Sequence, residues 1–346
     1  MKIEFVILLF LTTLVFSCRK EPSLPANPFV FPKTDSLPFE NGHLKIDLVT
    51  SHAPAEISRI DFIDQNTGCA IDDRGKIFRT NDGGLNWTTS YSSPKTGYYD
   101  SDLEFVNESI GVAVISINSS DHETWILKTS NAGNSWSEIA LPGFQLSSLT
   151  LIDSLHFLAT GNGIVFRSSD GGAIWVVADS THGIIRVSHN NTYFFGCNAE
   201  GEIFRSNDYG ATWNEVAAIS GVNYLSHLSF FESAGYINCF DTISFTVDDG
   251  VTWQKTSLPD SLYTLFGNSI NALSSSDCLF FASWGFLNYD YFVTWAAVLQ
   301  TLDGGLTFEK AVTFRSIGPL VSASFYDDKN GYAIDFNGNL LHVTVK

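Results

Sequence analysis

The chain reads as an all-β protein, a single seven-bladed β-propeller, on three observations. A short pattern, Ser/Thr-x-Asp-x-Gly-x-x-Trp, returns six times between residues 80 and 308. Its starts lie 49, 39, 38, 40 and 55 residues apart. Between copies, apolar residues alternate in short runs bounded by Gly, Asp, Asn and Ser, as strands joined by tight turns do. A period near forty residues with one turn motif per unit is the signature of propeller blades.

The repeat itself has a local logic. Its six copies centre on Asp82, Asn131, Asp170, Asp208, Asp248 and Asp303. Each is followed by a Gly two residues on, and by Trp87, Trp136, Trp175, Trp213, Trp253 or Phe308 five residues on. A carboxylate or amide at the first position accepts backbone N–H groups of its own turn. The Gly suits positive φ, and the large ring is expected to bury between blades. Asn131 argues that these acids fold turns rather than do chemistry, because an amide folds a turn but is neither acid nor base.

Taken in order, residues 1–17 read as a lipoprotein signal peptide. Lys2 precedes the apolar run Phe5–Phe16, too short to span a bilayer, and Val15-Phe16-Ser17-Cys18 follows. Cys18 is then the lipidated N-terminus, and membrane contact is expected through that lipid only; a plain secreted protein cut nearby is the other reading. Residues 18–42 hold five prolines and read as an extended tether. The propeller is placed at 43–346. In its first repeat the expected strands are Ile57–Phe62, Gly68–Ile71, Lys76–Arg79 and Trp87–Tyr91. The last unit, Ser322–Val345, stops after three strands, while His43–Thr50 alternates like a missing fourth. Joining the two ends makes the seventh blade and leaves no free edge; six blades with a stray half-repeat is the alternative.

Beyond the box, F-x-[DN]-x(3)-G-x-A recurs: Phe62 to Ala70, Phe105 to Ala113 and Phe325 to Ala333. With the box, it resembles the Asp-box (BNR) repeats of sialidases, sortilin-type receptors and, more fully, the photosystem II assembly-factor family. The resemblance covers roughly residues 43–346 and implies a propeller with a non-enzymatic, protein-binding role.

Composition narrows the partners. There are 19 basic against 37 acidic residues, a formal charge of −18, so nucleic acid is excluded as a partner. Cys69, Cys197, Cys239 and Cys278 fall in or near second strands, too far apart on stacked blades for disulfides, and read as buried thiols. No Cys-x-x-Cys or clustered His marks a zinc site, and neither metal nor cofactor is expected. Asp72, Asp73, Glu200, Asp241 and Asp335 gather at short turns on one face. A ring of them is a candidate Ca²⁺ site; solvated turn residues account for them as well.

The candidate binding surface lies on that same face, opposite the boxes. The long spacings there come from enlarged second-to-third connections, one holding Asp121 and His122, the other Trp284, Phe286, Tyr289, Asp290 and Tyr291. Tyr98 and Tyr99 in an inter-blade link extend it. Exposed aromatics of this kind mark recognition surfaces for protein or glycan; a loop folded over its own small core is the plainer account. No catalytic residues are assigned. A sialidase carboxylate clamp of three arginines is not recognisable in an eight-arginine chain, with Arg79, Arg167 and Arg205 placed before boxes. The expected function is a lipid-anchored binding or assembly scaffold of a bacterial envelope, at the outer membrane. The alternative is a glycoside hydrolase or lyase with two carboxylates on the open face.

Overall fold

The computed structural model describes residues 36–346, apart from residues 51, 55, 95–96, 98, 118–122, 222–224, 240–241, 257–264, 289–290 and 315. The signal peptide, Cys18 and most of the tether therefore lie outside the described residues. What is described forms seven antiparallel sheets and no helix. Six sheets have four strands taken in sequence order, and each strand pairs only with its neighbours. Blade one runs Ile57–Phe62, Gly68–Asp72, Lys76–Thr80 and Thr88–Ser92 from the axis outward. Each innermost strand packs on that of the next blade, and Leu320–Phe325 of blade seven packs on Ile57–Phe62 to close the ring.

Closure follows the terminal pairing expected from sequence. Leu44–Thr50 runs antiparallel to Leu340–Val345, with Ile46 opposite Val343. The blade also starts earlier than residue 43: Phe39–Glu40 adds a fifth strand outside Leu44–Thr50. The Phe39 ring stands edge-on to Phe314 at 6.3 Å, and Lys346 Nζ pairs with Glu40 Oε1 at 2.6 Å. Residues 36–41, assigned to the tether by their prolines, thus belong to the ring.

Seven apolar clusters hold the molecule together, one at each blade interface. Cys69, Ile71 and Ile77 of blade one meet Leu103, Ala113, Ile115 and Leu127 of blade two. Ala70, on the other face of the same strand, packs with Tyr332, Ile334 and Leu340 of blade seven. Second strands such as Gly68–Asp72 are buried at every position, so they read as nearly continuous apolar runs rather than alternating ones. The Phe–Gly motif has a packing reason: Phe62 pairs directly with Gly68, and a Cβ there would lie 2.7 Å from the ring.

The box closes on itself in all six copies. The first hydroxyl donates to the Asp or Asn oxygen at 2.7–2.9 Å, from Thr80–Asp82 through Thr301–Asp303. The same hydroxyl accepts the Gly N–H, as in Gly84 to Thr80 at 2.9 Å. Three indoles donate to their own box carbonyl, Trp87 to Gly84, Trp175 to Gly172 and Trp253 to Gly250. Trp213 and Phe308 are buried, while Trp136 reaches back to Ser90 of the preceding blade. A basic residue closing the third strand then bonds the next blade's box: Arg79 Nε to the Ala132 carbonyl at 2.7 Å, Lys128 Nζ to Gly171, and Arg205 to Asp249. Arg79 and Arg205 are therefore inter-blade ties. Cys69 and Cys278 are buried free thiols, Cys197 is buried as well, and burial pushes Cys69 up to about 12.

Candidate functional site

Two regions concentrate polar or aromatic groups: the axial channel and the rim opposite the boxes. The channel is built from the innermost strands, whose free edges would leave backbone N–H groups unpaired. Cross-strand register makes seven positions equivalent: Arg59, Asp102, Ser148, Arg186, His227, Ser269 and Ser322. Two residues on, a second rung comprises Asp61, Glu104, Thr150, Ser188, Ser229, Asn271 and Ser324. Every one of these side chains is polar.

Many of them bond across to the next blade. Ile60 and Phe62 N–H donate to Ser322 and Ser324 Oγ at 3.1 and 3.0 Å. Phe105 N–H donates to Asp61 Oδ2 at 2.6 Å, and Ser324 Oγ to Asp61 Oδ1 at 2.6 Å. Leu149 and Leu151 N–H donate to Asp102 Oδ2 and Glu104 Oε2 at 2.8 and 3.0 Å. Ala272 N–H donates to Ser229 Oγ at 3.1 Å. The belt therefore satisfies the inner edges and ties blade to blade.

Its charges are unusual. Burial lifts the Asp61 carboxyl to about 6, against hydrogen bonds from Ser324 and Phe105 that favour the anion. Burial, with Asp61 and Asp102 nearby, pushes Glu104 well above the ordinary carboxylate range. Arg59 Nε lies 3.5 Å from Asp102 Oδ1. Burial, then the guanidiniums of Arg59 and Arg186, hold the His227 imidazole well below its usual value, so it is neutral at pH 7. Sequence reasoning passed over these residues. A signal was present: each blade carries polar–apolar–polar before the strand's end, as in Arg59-Ile-Asp61, Asp102-Leu-Glu104, Arg186-Val-Ser188 and His227-Leu-Ser229.

At the rim, blade six departs from the loop expected there. Cys278–Asn288 and Tyr291–Thr301 are 11-residue strands forming one continuous hairpin. Trp284 and Phe286 sit in the first, opposite Trp295 and Val293, and Tyr291 opens the second. Among the described residues, pairing with the inner neighbour reaches Leu265, opposite Trp284, and with the outer one Phe314, opposite Ala296. Among the described residues, neither flanking strand pairs with the ribbon from Gly285 to Thr294. Strand-favouring aromatic and β-branched residues account for it: Trp-Gly-Phe-Leu pairs onto Phe-Val-Thr-Trp with a single Gly and no Pro. Tyr99 begins blade two's inner strand on the same face, opposite Ile117. Tyr98, Asp121, His122, Tyr289 and Asp290 lie outside the described residues.

Among the described residues, the acidic turns do not assemble into a ring. Asp72 Oδ1 accepts the Arg74 and Lys76 N–H groups, and Asp335 Oδ1 those of Asn337 and Asn339, each within its own turn. Asp73 faces Arg74, Glu200 is exposed, and Asp241 lies outside the described residues. Among the described residues, no group of three or more His, Cys, Asp or Glu is placed to hold a metal ion.

Comparison with known proteins bears on the same architecture. The sequence model of the family described as photosynthesis system II assembly factor YCF48 matches residues 40–192. The chain is an Asp-box propeller resembling the photosystem II assembly factors. A curated relative, photosystem II assembly lipoprotein Ycf48 of Synechococcus sp. (strain CC9902), is 28% identical over 163 residues. That match spans 43% of this chain and only 44% of the relative's length. Among solved structures, YCF48 bound to D1 peptide superposes with a TM-score of 0.66 at 16% identity, covering 89% of this chain and 99% of that one. YCF48 from Cyanidioschyzon merolae gives 0.61 at 14%, covering 86% and 98%. A GH74 xyloglucanase from Xanthomonas campestris gives 0.63 at 14%, covering 86% of this chain but 52% of the enzyme. At these identities the structural likenesses establish the fold.

Proposed function

We propose that this protein is a non-catalytic scaffold, exported and lipid-anchored through Cys18 at the bacterial outer membrane, which binds a polypeptide of the cell envelope on the face opposite the boxes. The observation that carries the reading is the blade-six hairpin. Two-stranded ribbons are marginal alone, yet this one continues from a four-stranded sheet and, among the described residues, pairs with neither neighbour beyond Trp284 and Trp295. A ribbon so presented offers free backbone edges to which an extended segment can add as a strand. Its aromatic register positions supply contact area at low entropic cost. The relative named as an assembly lipoprotein and the neighbour with a bound peptide support a protein client rather than a glycan.

The channel carboxylates favour the same side of the question. Asp61, Asp102 and Glu104 each accept a backbone N–H from the adjacent blade, so they act as ties between strands. A hydrolase needs two carboxyls free to face a substrate bond.

The test is a pull-down from envelope extracts with the intact protein and a shortened one. Joining Gly285 to Thr294 through Asn-Gly removes the ribbon while keeping a paired closing rung and a favoured two-residue turn. The client is expected to disappear with the ribbon. Identical partners for both proteins, or sugar release from a glycan panel by the intact protein, overturn the proposal.

A further inference from the structure

We infer that the channel rung nearer the open rim is a binding site for a small monocarboxylate, held by Arg59, Arg186 and His227. The register makes these three equivalent in blades one, four and five. In a ring of seven, blade one stands across the axis from blades four and five. Elsewhere on the two rungs, Ser322, Asp102 and Ser229 accept the adjacent blade's backbone N–H. A guanidinium has no acceptor to offer and does not serve that structural role.

The two arginines are held alike. Arg59 Nη1 donates to the Ser58 carbonyl at 2.8 Å and Arg186 Nη1 to the Ile185 carbonyl at 2.9 Å, each one residue back along its own strand. Such a bond fixes the side chain relative to the channel. Both guanidiniums lie close enough to His227 to act on its charge state. His227 Nδ1 is buried and has no hydrogen-bond partner among the described residues. A buried polar atom without a partner carries a cost that a ligand removes.

Two guanidinium forks and a neutral imidazole suit a planar oxyanion. The neighbouring groups limit its charge. Asp102 faces Arg59, and Asp61 occupies the next rung on blade one, so a second negative charge on the ligand is repelled. A single carboxylate fits better than phosphate or a dicarboxylate. The site is separate from the blade-six ribbon, so its failure leaves the docking proposal standing.

The test is calorimetric titration of the full-length protein at pH 7.5 with acetate, succinate and inorganic phosphate. Saturable one-to-one binding of acetate is expected, weaker binding of succinate, and weaker still of phosphate. Arg186→Gln and the paired change Arg59→Gln with Asp102→Asn, which leaves no orphaned charge, each weaken acetate about tenfold. The His227 ring resonance shifts on acetate addition, with a midpoint about tenfold higher in each variant than in the wild type. Absence of saturable acetate binding, tighter binding of phosphate, or undiminished affinity in both folded variants overturns the site.

Discussion

At the scale of single residues, the box glycines show how local conformation and packing coincide. Gly133 has φ of +76°, and a Cβ there would sit 2.4 Å from Cys69 Sγ on the preceding blade. Gly133→Ala therefore meets both backbone strain and a clash, and a loss of about 2–4 kcal/mol is expected from urea denaturation midpoints. A change under ~0.5 kcal/mol contradicts the close approach. The channel carboxylates give a pH prediction. Asp61 titrates near 6 in the folded protein and near 3.9 when unfolded. The folded state thus binds more protons between those values, so this group makes stability fall as pH rises from ~4 to ~6. Glu104, shifted in the same direction, adds to that fall. Asp61→Asn keeps an acceptor for Phe105 N–H and should flatten the slope, measured as unfolding free energy against pH. The box carboxylates act oppositely. Hydrogen bonds from Asn86 hold Asp82 below its ordinary value, so its contribution is lost only as pH falls below that range.

At the scale of elements, the terminal strand decides whether the ring has edges. Ile46 is fully buried among Leu341, Val343 and Phe314, between blades six and seven. Ile46→Ala is expected to cost about 2–4 kcal/mol. A chain lacking residues 36–50 exposes Leu340–Val345 as an open edge and should self-associate. Size-exclusion chromatography of the truncated protein tests this, and a stable monomer contradicts it. How well the sequence announced each element depended on its surroundings. Gly68–Asp72 and its kin were legible because strands buried on both faces are apolar throughout. In the sequence the blade-six insert reads as a loop, because its length and aromatics resemble one. Its pairing of Trp284 with Trp295 becomes visible only when both strands are laid side by side.

For the whole molecule, the −18 charge sits on one closed ring. Like charges over a compact body repel, and salt near ~0.2 M screens them beyond about one Debye length. The melting temperature is expected to rise by a few degrees between ~0.01 M and ~0.2 M NaCl in a thermal scan. A fall instead shows that specific ion pairs outweigh the net repulsion. The closed ring also explains why seven separate apolar clusters suffice: each blade lends one face to the blade before it and one to the blade after.

The amino-acid order alone settled the repeat and the blade count, because those rest on contacts within a blade, where partners lie a few residues apart; the terminal closure followed because a three-stranded last unit and a lone first strand complete one blade. The fourteen-membered polar lining of the axis, and the approach of Arg59 and Arg186 to His227, were settled by assembly. Residues separated by more than a hundred positions share that channel only after every blade has packed on its neighbour. No local pattern reports which side of a seven-membered ring faces which.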